Sequence, residues 1–329
     1  MNMKGEFVLK ELQAKWLIDG EHFDQNAVFD MLDRLCAIYV KFNCYDIACD
    51  YNKLELGVAD KSDDLSLSAI AYRTHSKLFY LNNSQECQNS LDKVDLLLTK
   101  CPSPRIQLNN NIYRAIAELT YSTGNDYDKI ISNLEEYSQL SDEQNLNRAD
   151  IQGNMVLAAA YLKRGNQQDL IAAQKRIDKA IARSISYGIP SYLWQLYNLK
   201  AIIDTRLRKN SNVIKESFEN CFEILNKQNL LFIGNADLCY SNILAISNIA
   251  FYFQNHSYQA TFNLKMSKIT YCSYSADDSS HSKINSTTLT EAQLVHIYER
   301  ASEKELLFSA KTSTPLLRDD ETGYFIALT

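Results

Sequence analysis

Side chains able to carry chemistry are scattered along this chain rather than gathered into a recognisable set. The five histidines are His22, His75, His256, His281 and His296. No two stand four residues apart, and none shares a Cys, Ser or Asp arrangement from which a proton relay or metal site is built. Isolated histidines of this kind serve structure or surface. The eight cysteines, Cys36, Cys44, Cys49, Cys87, Cys101, Cys221, Cys239 and Cys272, contain no C-x-x-C pair and no histidine at zinc-ligand spacing. Cys36, Cys221 and Cys239 fall among apolar residues, where a thiol acts as a small hydrophobe. Paired acids occur at Asp63-Asp64, Glu135-Glu136, Asp277-Asp278 and Asp319-Asp320-Glu321. Neighbours on a helix diverge, so such pairs serve poorly as a general acid and base, and Asp277-Asp278 lacks the alternating spacing of a calcium loop. No glycine-rich phosphate loop is present. The expectation is a chain with no catalytic set, no cofactor and no metal.

The elements that would have to position any site are repetitive. Short breaks centred on Asn or Gly-Asn fall at Asn43, Asn82-Asn83, Gly124-Asn125, Gly165-Asn166, Asn210 and Asn255. They are separated by steps of about 40 to 45 residues, a period that signals stacked repeats. Only nine Gly and four Pro occur in 329 residues, against roughly 12 percent combined in an average chain. Such a chain cannot make the many tight turns of a sandwich or barrel, but it can make long helices. Net charge is −6 with no long Lys/Arg cluster, which argues against nucleic acid as a partner. No apolar run is long enough to span a membrane, and the first residues lack a signal-peptide core. These features lead to an expectation of a cytoplasmic protein with reduced thiols.

In the first unit, Leu32, Leu35, Cys36 and Tyr39 follow helical spacing up to the break Lys41-Phe42-Asn43, and Tyr45, Ala48 and Tyr51 follow on the next helix. A small residue on each helix lets the backbones approach while aromatics fill the gaps beside the contact. This run resembles a tetratricopeptide repeat, with Cys36 and Ala48 at the small positions and Tyr39 and Tyr45 flanking them. Weaker copies pair residues 66–81 with 85–100, 108–122 with 127–139, 149–164 with 170–186, 192–207 with 213–227, and 236–254 with 258–271, with Pro102 and Pro104 closing the second unit. The longer, degenerate units resemble the repeat arms of bacterial signal-transduction ATPases and regulators. The fold expected is all-α, a right-handed solenoid of six such pairs over 26–272. A capping helix within 1–25 carries Val8, Leu9, Leu12 and Trp16, and a polar loop covers 273–288. Over 289–329 a helix follows the capping-box spacing Thr288-Leu289-Thr290-Glu291. It leads into a β-prone tail that could form a short hairpin around Asp319–Gly323.

The resemblance implies a protein or peptide partner on the inner face, read by the first helix of each pair. Carried over position by position, it nominates Asp33, Ala37, Val40 and Lys41 in the first unit and Tyr72, His75, Phe79 and Asn82 in the second. Tyr72 and Phe79 could equally fill the repeat core. An adaptor or scaffold is the leading expectation, with self-association left open. A sensor arm or accessory subunit of a signalling or defence assembly is the alternative, its ATPase or effector being a separate chain. An all-helical enzyme would need a buried polar cluster assembled from unmarked residues.

Overall fold

A computed structural model describes residues 25–41, 45–79, 84–121, 126–227, 248, 270–272, 284–286, 317, 319–324 and 326–328. Ten α-helices occupy most of these: α1 Gln25–Lys41, α2 Tyr45–Ala59, α3 Leu65–Phe79, α4 Ser84–Leu98, α5 Pro104–Tyr121, α6 Tyr127–Glu143, α7 Asn147–Arg164, α8 Gln167–Ser186, α9 Leu193–Arg206 and α10 Ser211–Lys227. A 3-10 turn, Pro190–Tyr192, precedes α9. The helices form five successive pairs, matching the first five sequence units.

The breaks terminate helices by identifiable means. Gly165 sits at φ 78°, a conformation that only glycine adopts without strain, and its N–H donates to the Tyr161 carbonyl to close α7. Asn166 then caps α8, its side chain accepting from the Asp169 N–H at 2.9 Å. Gly188, at φ 64°, ends α8 in the same left-handed way. Asn210 accepts from the Asn212 N–H at 2.9 Å at the start of α10. Pro104 opens α5 instead of closing the second unit; the first helical position needs no N–H, so proline suits it.

Each helix packs on the next in the chain, and each odd-numbered helix also touches the next odd-numbered one; among the described residues the even-numbered helices show no comparable mutual contact. The pairing is antiparallel at α7–α8. Arg164, ending α7, meets Asp169 at the start of α8, while Arg183, late in α8, reaches back to Asp150 in the first turn of α7. At the first pair the two small residues meet as their spacing predicts: Cys36 and Ala48 are wholly buried, and the Cys36 thiol donates to the Ala48 carbonyl at 3.0 Å. The main core runs from α5 to α10 and takes in the tail residues Leu317, Tyr324, Ile326, Ala327 and Leu328. A second core joins α1, α2 and α3. Helix α7 lies deepest, with every residue from Ala149 to Leu162 buried. Its consecutive Ala158, Ala159 and Ala160 let neighbouring helices approach closely.

Two expectations are corrected. The second helix of the sixth unit was to run to residue 271, followed by a polar loop to 288. Instead β1 Thr270–Cys272 pairs antiparallel with β2 Ile284–Ser286, with Tyr271 opposite Asn285. The β-branched Thr270 and Ile284 and the aromatic Tyr271 suit a pleated strand. In the tail, the Asp319 N–H donates to the Tyr324 carbonyl and the Ile326 N–H to the Leu317 carbonyl, both at 2.9 Å, about a turn at Asp319–Gly323. The capping helix before Gln25, the sixth unit apart from Asn248 and residues 270–271, and the helix after Thr288 lie outside the described residues. Among the described residues no helix is long and apolar enough to cross a membrane.

Candidate functional site

The nominated residues lie on α1 and α3, and the structure separates them. Asp33, half-buried on α1, accepts from the Thr74 hydroxyl of α3 at 2.8 Å. Ala37 is exposed one turn further on. Val40 and Lys41 end α1, but their side chains, like all of Asn82, lie outside the described residues. Tyr72 packs on the cluster of Ala69, Val94, Leu98 and Ile106 between α3, α4 and α5. Lys93 of α4 stands 5.7 Å from its ring centre. Phe79 fills the junction of the α1–α3 core with Cys87, Leu91 and Ala117. The core role weighed for Tyr72 and Phe79 is thus the environment each occupies.

His75 does not face the odd-numbered helices. Its Nδ1 lies 2.7 Å from the Asn52 amide oxygen on α2, and its Nε2 lies 3.1 Å from Glu86 on α4, with the ring 4.6 Å from that of Phe79. Asn52, wholly buried, donates onward to Glu55 at 3.0 Å and to the Ala71 carbonyl at 3.1 Å. Glu55 is itself fully buried, and its second oxygen has no hydrogen-bond partner. Burial, reinforced by the nearby Asp33 charge, pushes the Glu55 carboxyl up to about 8 despite the Asn52 hydrogen bond and the cations Arg73 and Lys77. Glu55 is therefore a neutral acid at pH 7, enclosed in protein. Among the described residues it is reached by Asn52 and faces no solvent. The neighbouring Cys36 thiol is also held far above its usual range, first by burial and then by the Glu55 and Asp33 charges, which leaves it inert as a nucleophile.

Toward α5, α3 presents Lys77, and the charge of Arg73 is felt there too. The Lys77 ammonium lies 4.5 Å from the centre of the Tyr113 ring on α5. Burial would raise the Tyr113 phenol, but the Lys77 charge, a hydrogen bond with Gln152 of α7 and the Arg73 charge together hold it below its ordinary range. Tyr192, ahead of α9, is pushed up to about 12 by burial and by Tyr113, against the opposing charge of Arg148. A polar seam thus joins α3, α5 and α7 on one side of the stack. Spacing alone could have suggested it: Arg73 and Lys77 stand at i, i+4 on a first helix, one or two positions away from the nominated residues. Tyr113 and Gln152 carry no local signal, because only packing brings them to Lys77.

Two polar clusters on α6, α7 and α8 pair acids with bases. Buried Asp150 is met by Arg183, with Lys179 at 3.8 Å, and Asn154 donates to it at 2.8 Å. Arg164 forms a two-pronged pair with Asp169 at 2.6 and 2.8 Å and also meets Asp128. Such forks hold successive helices in place. Neither a protein-family model nor a curated protein sequence matches the chain.

Proposed function

We propose that the chain is a protein- or peptide-binding adaptor of the cytoplasm, a right-handed α-solenoid of tetratricopeptide-like pairs whose partner lies along the odd-numbered helices. The observation that carries this reading is the seam of Arg73, Lys77, Tyr113 and Gln152 across three successive pairs. It offers two cations and a phenol on half-buried side chains beside a buried amide, the mixture that reads an extended peptide through its carboxylates and backbone. The meeting of Cys36 with Ala48 supports the tetratricopeptide-like geometry.

The test is photo-crosslinking from position 37, exposed on α1, in the source cells, with the captured species quantified by mass spectrometry. Arg73→Gln with Lys77→Gln should reduce capture from the same position at least tenfold, with helix content by circular dichroism unchanged. Lys93→Gln, on the even-numbered helix α4, should leave capture intact. Equal capture by both variants would remove the partner from this face.

A further inference from the structure

The tail meets the helix stack at a site of its own. Arg206, at the end of α9, has only 6% of its side chain exposed, and the Asp319 side chain it pairs with at 2.5 Å has 1%. The same guanidinium reaches Glu321 at 2.7 Å and the Gly165 carbonyl at 3.3 Å. Lys163 of α7 pairs with Asp320 at 2.9 Å. Tyr324 sets its ring edge-on to Phe218 of α10, with centres 5.5 Å apart. Leu317, Ile326, Ala327 and Leu328 are buried beside it. Two cations from the helices therefore meet three carboxylates in a row, next to an apolar floor.

The tail docks as a preformed object. Its described backbone hydrogen bonds run within the segment: Asp319 to Tyr324, Gly323 to Asp319, and Ile326 to Leu317. The Asp319 carboxylate accepts from the Thr322 N–H at 2.9 Å and its hydroxyl at 2.6 Å, so the side chain that reads Arg206 also holds the turn. Gly323, at φ 74°, supplies the left-handed residue that the turn requires. The described contacts between tail and helices are made by side chains, across 113 residues for Arg206–Asp319 and 157 for Lys163–Asp320. A turn that carries its own geometry loses little conformational freedom on docking, which is how a rigid peptide ligand binds.

We propose that Lys163, Gly165, Arg206 and Phe218 form a peptide-binding site for an acidic hairpin turn flanked by aliphatic residues. The tail from 317 to 328 is its resident ligand, held in cis and displaceable by the same sequence in trans. Tethering gives the tail a high effective concentration, so the cis form dominates until the turn is weakened or a competitor is in large excess.

The test uses the full chain and a fluorescein-labelled synthetic peptide of residues 315–329. Asp319→Ala should raise amide exchange over 317–328 and make the chain bind the probe saturably. Arg206→Gln in that background should weaken probe binding at least tenfold. The unsubstituted chain with a large excess of unlabelled peptide should show the same rise in exchange, a readout that does not depend on how the variant folds. Three results overturn the proposal: a tail that stays protected in both experiments, a released tail whose site does not take up the probe, or probe binding indifferent to Arg206.

Discussion

Glu55 shows how one buried group can set the pH response of a whole helix pair. It is enclosed by α1, α2 and α3, with Asp33 raising its proton affinity and Arg73 and Lys77 lowering it. Burial lifts its carboxyl from the ordinary 4.5 to about 8, so between those limits the folded chain binds more protons at this group than the unfolded chain does. Stability contributed here is intact at low pH and falls as pH rises through that window. Glu55→Gln, which cannot ionise, should therefore gain on the unsubstituted protein as pH is raised from 5 to 8. Urea unfolding at pH 5, 6, 7 and 8 measures this, and a constant difference between the two proteins would show that Glu55 does not hold its proton. Nothing in the sequence marks Glu55, because its neighbours Asp33 and Arg73 lie 22 and 18 positions away and only packing brings their charges to bear on it.

At the scale of elements, the Gly165-Asn166 connection carries most of the argument. Asn166 satisfies one of the free N–H groups at the start of α8, so Asn166→Ala should cost about 1 kcal/mol. Gly165→Ala should cost more. The left-handed backbone alone carries roughly 1–2 kcal/mol for a residue with a Cβ, and the new Cβ would stand 3.0 Å from an Arg206 nitrogen. That contact would disturb the tail site as well, so Gly165→Ala should loosen residues 317–328 while Asn166→Ala leaves them protected. Thermal melts and amide exchange on both variants check the order of the two effects. These connections were legible in the sequence because capping is local chemistry: one residue type, one conformation and hydrogen bonds within a few positions.

For the whole molecule, the thiols are dispersed through the stack. Cys36, Cys87 and Cys221 are buried singly on α1, α4 and α10, and none is in a disulfide. Burial pushes the Cys87 thiol up to about 11 and raises Cys221 further. Thiols held protonated exchange slowly, since the thiolate is the reacting form. Reduced and mildly oxidised samples should therefore melt at the same temperature. An intact-mass loss of two hydrogens per disulfide, accompanied by a shifted melt, would contradict this. Stacked pairs with separate local cores need no covalent staple, because each pair is stabilised by its neighbours.

The sequence by itself determined the eight helices from α3 to α10 to within a few residues, the five successive pairs and the meeting of Cys36 with Ala48. Helical period, capping residues and small-residue contacts all act over one or two turns, so each leaves a mark in the order of residues. Tertiary structure alone decided which side of α3 faces which neighbour. That helix touches α1, α2, α4 and α5 at once, and a helix contacted on several sides has no single apolar stripe to reveal its register. This is why His75 turned toward α2 and α4 while Arg73 and Lys77 took the side nominated for Tyr72 and His75. The tail followed the same rule at longer range. Its turn was readable from Asp319–Gly323, but the pairing of Asp319 with Arg206 joins residues 113 positions apart, and no local preference encodes a contact that exists only once the helices have stacked.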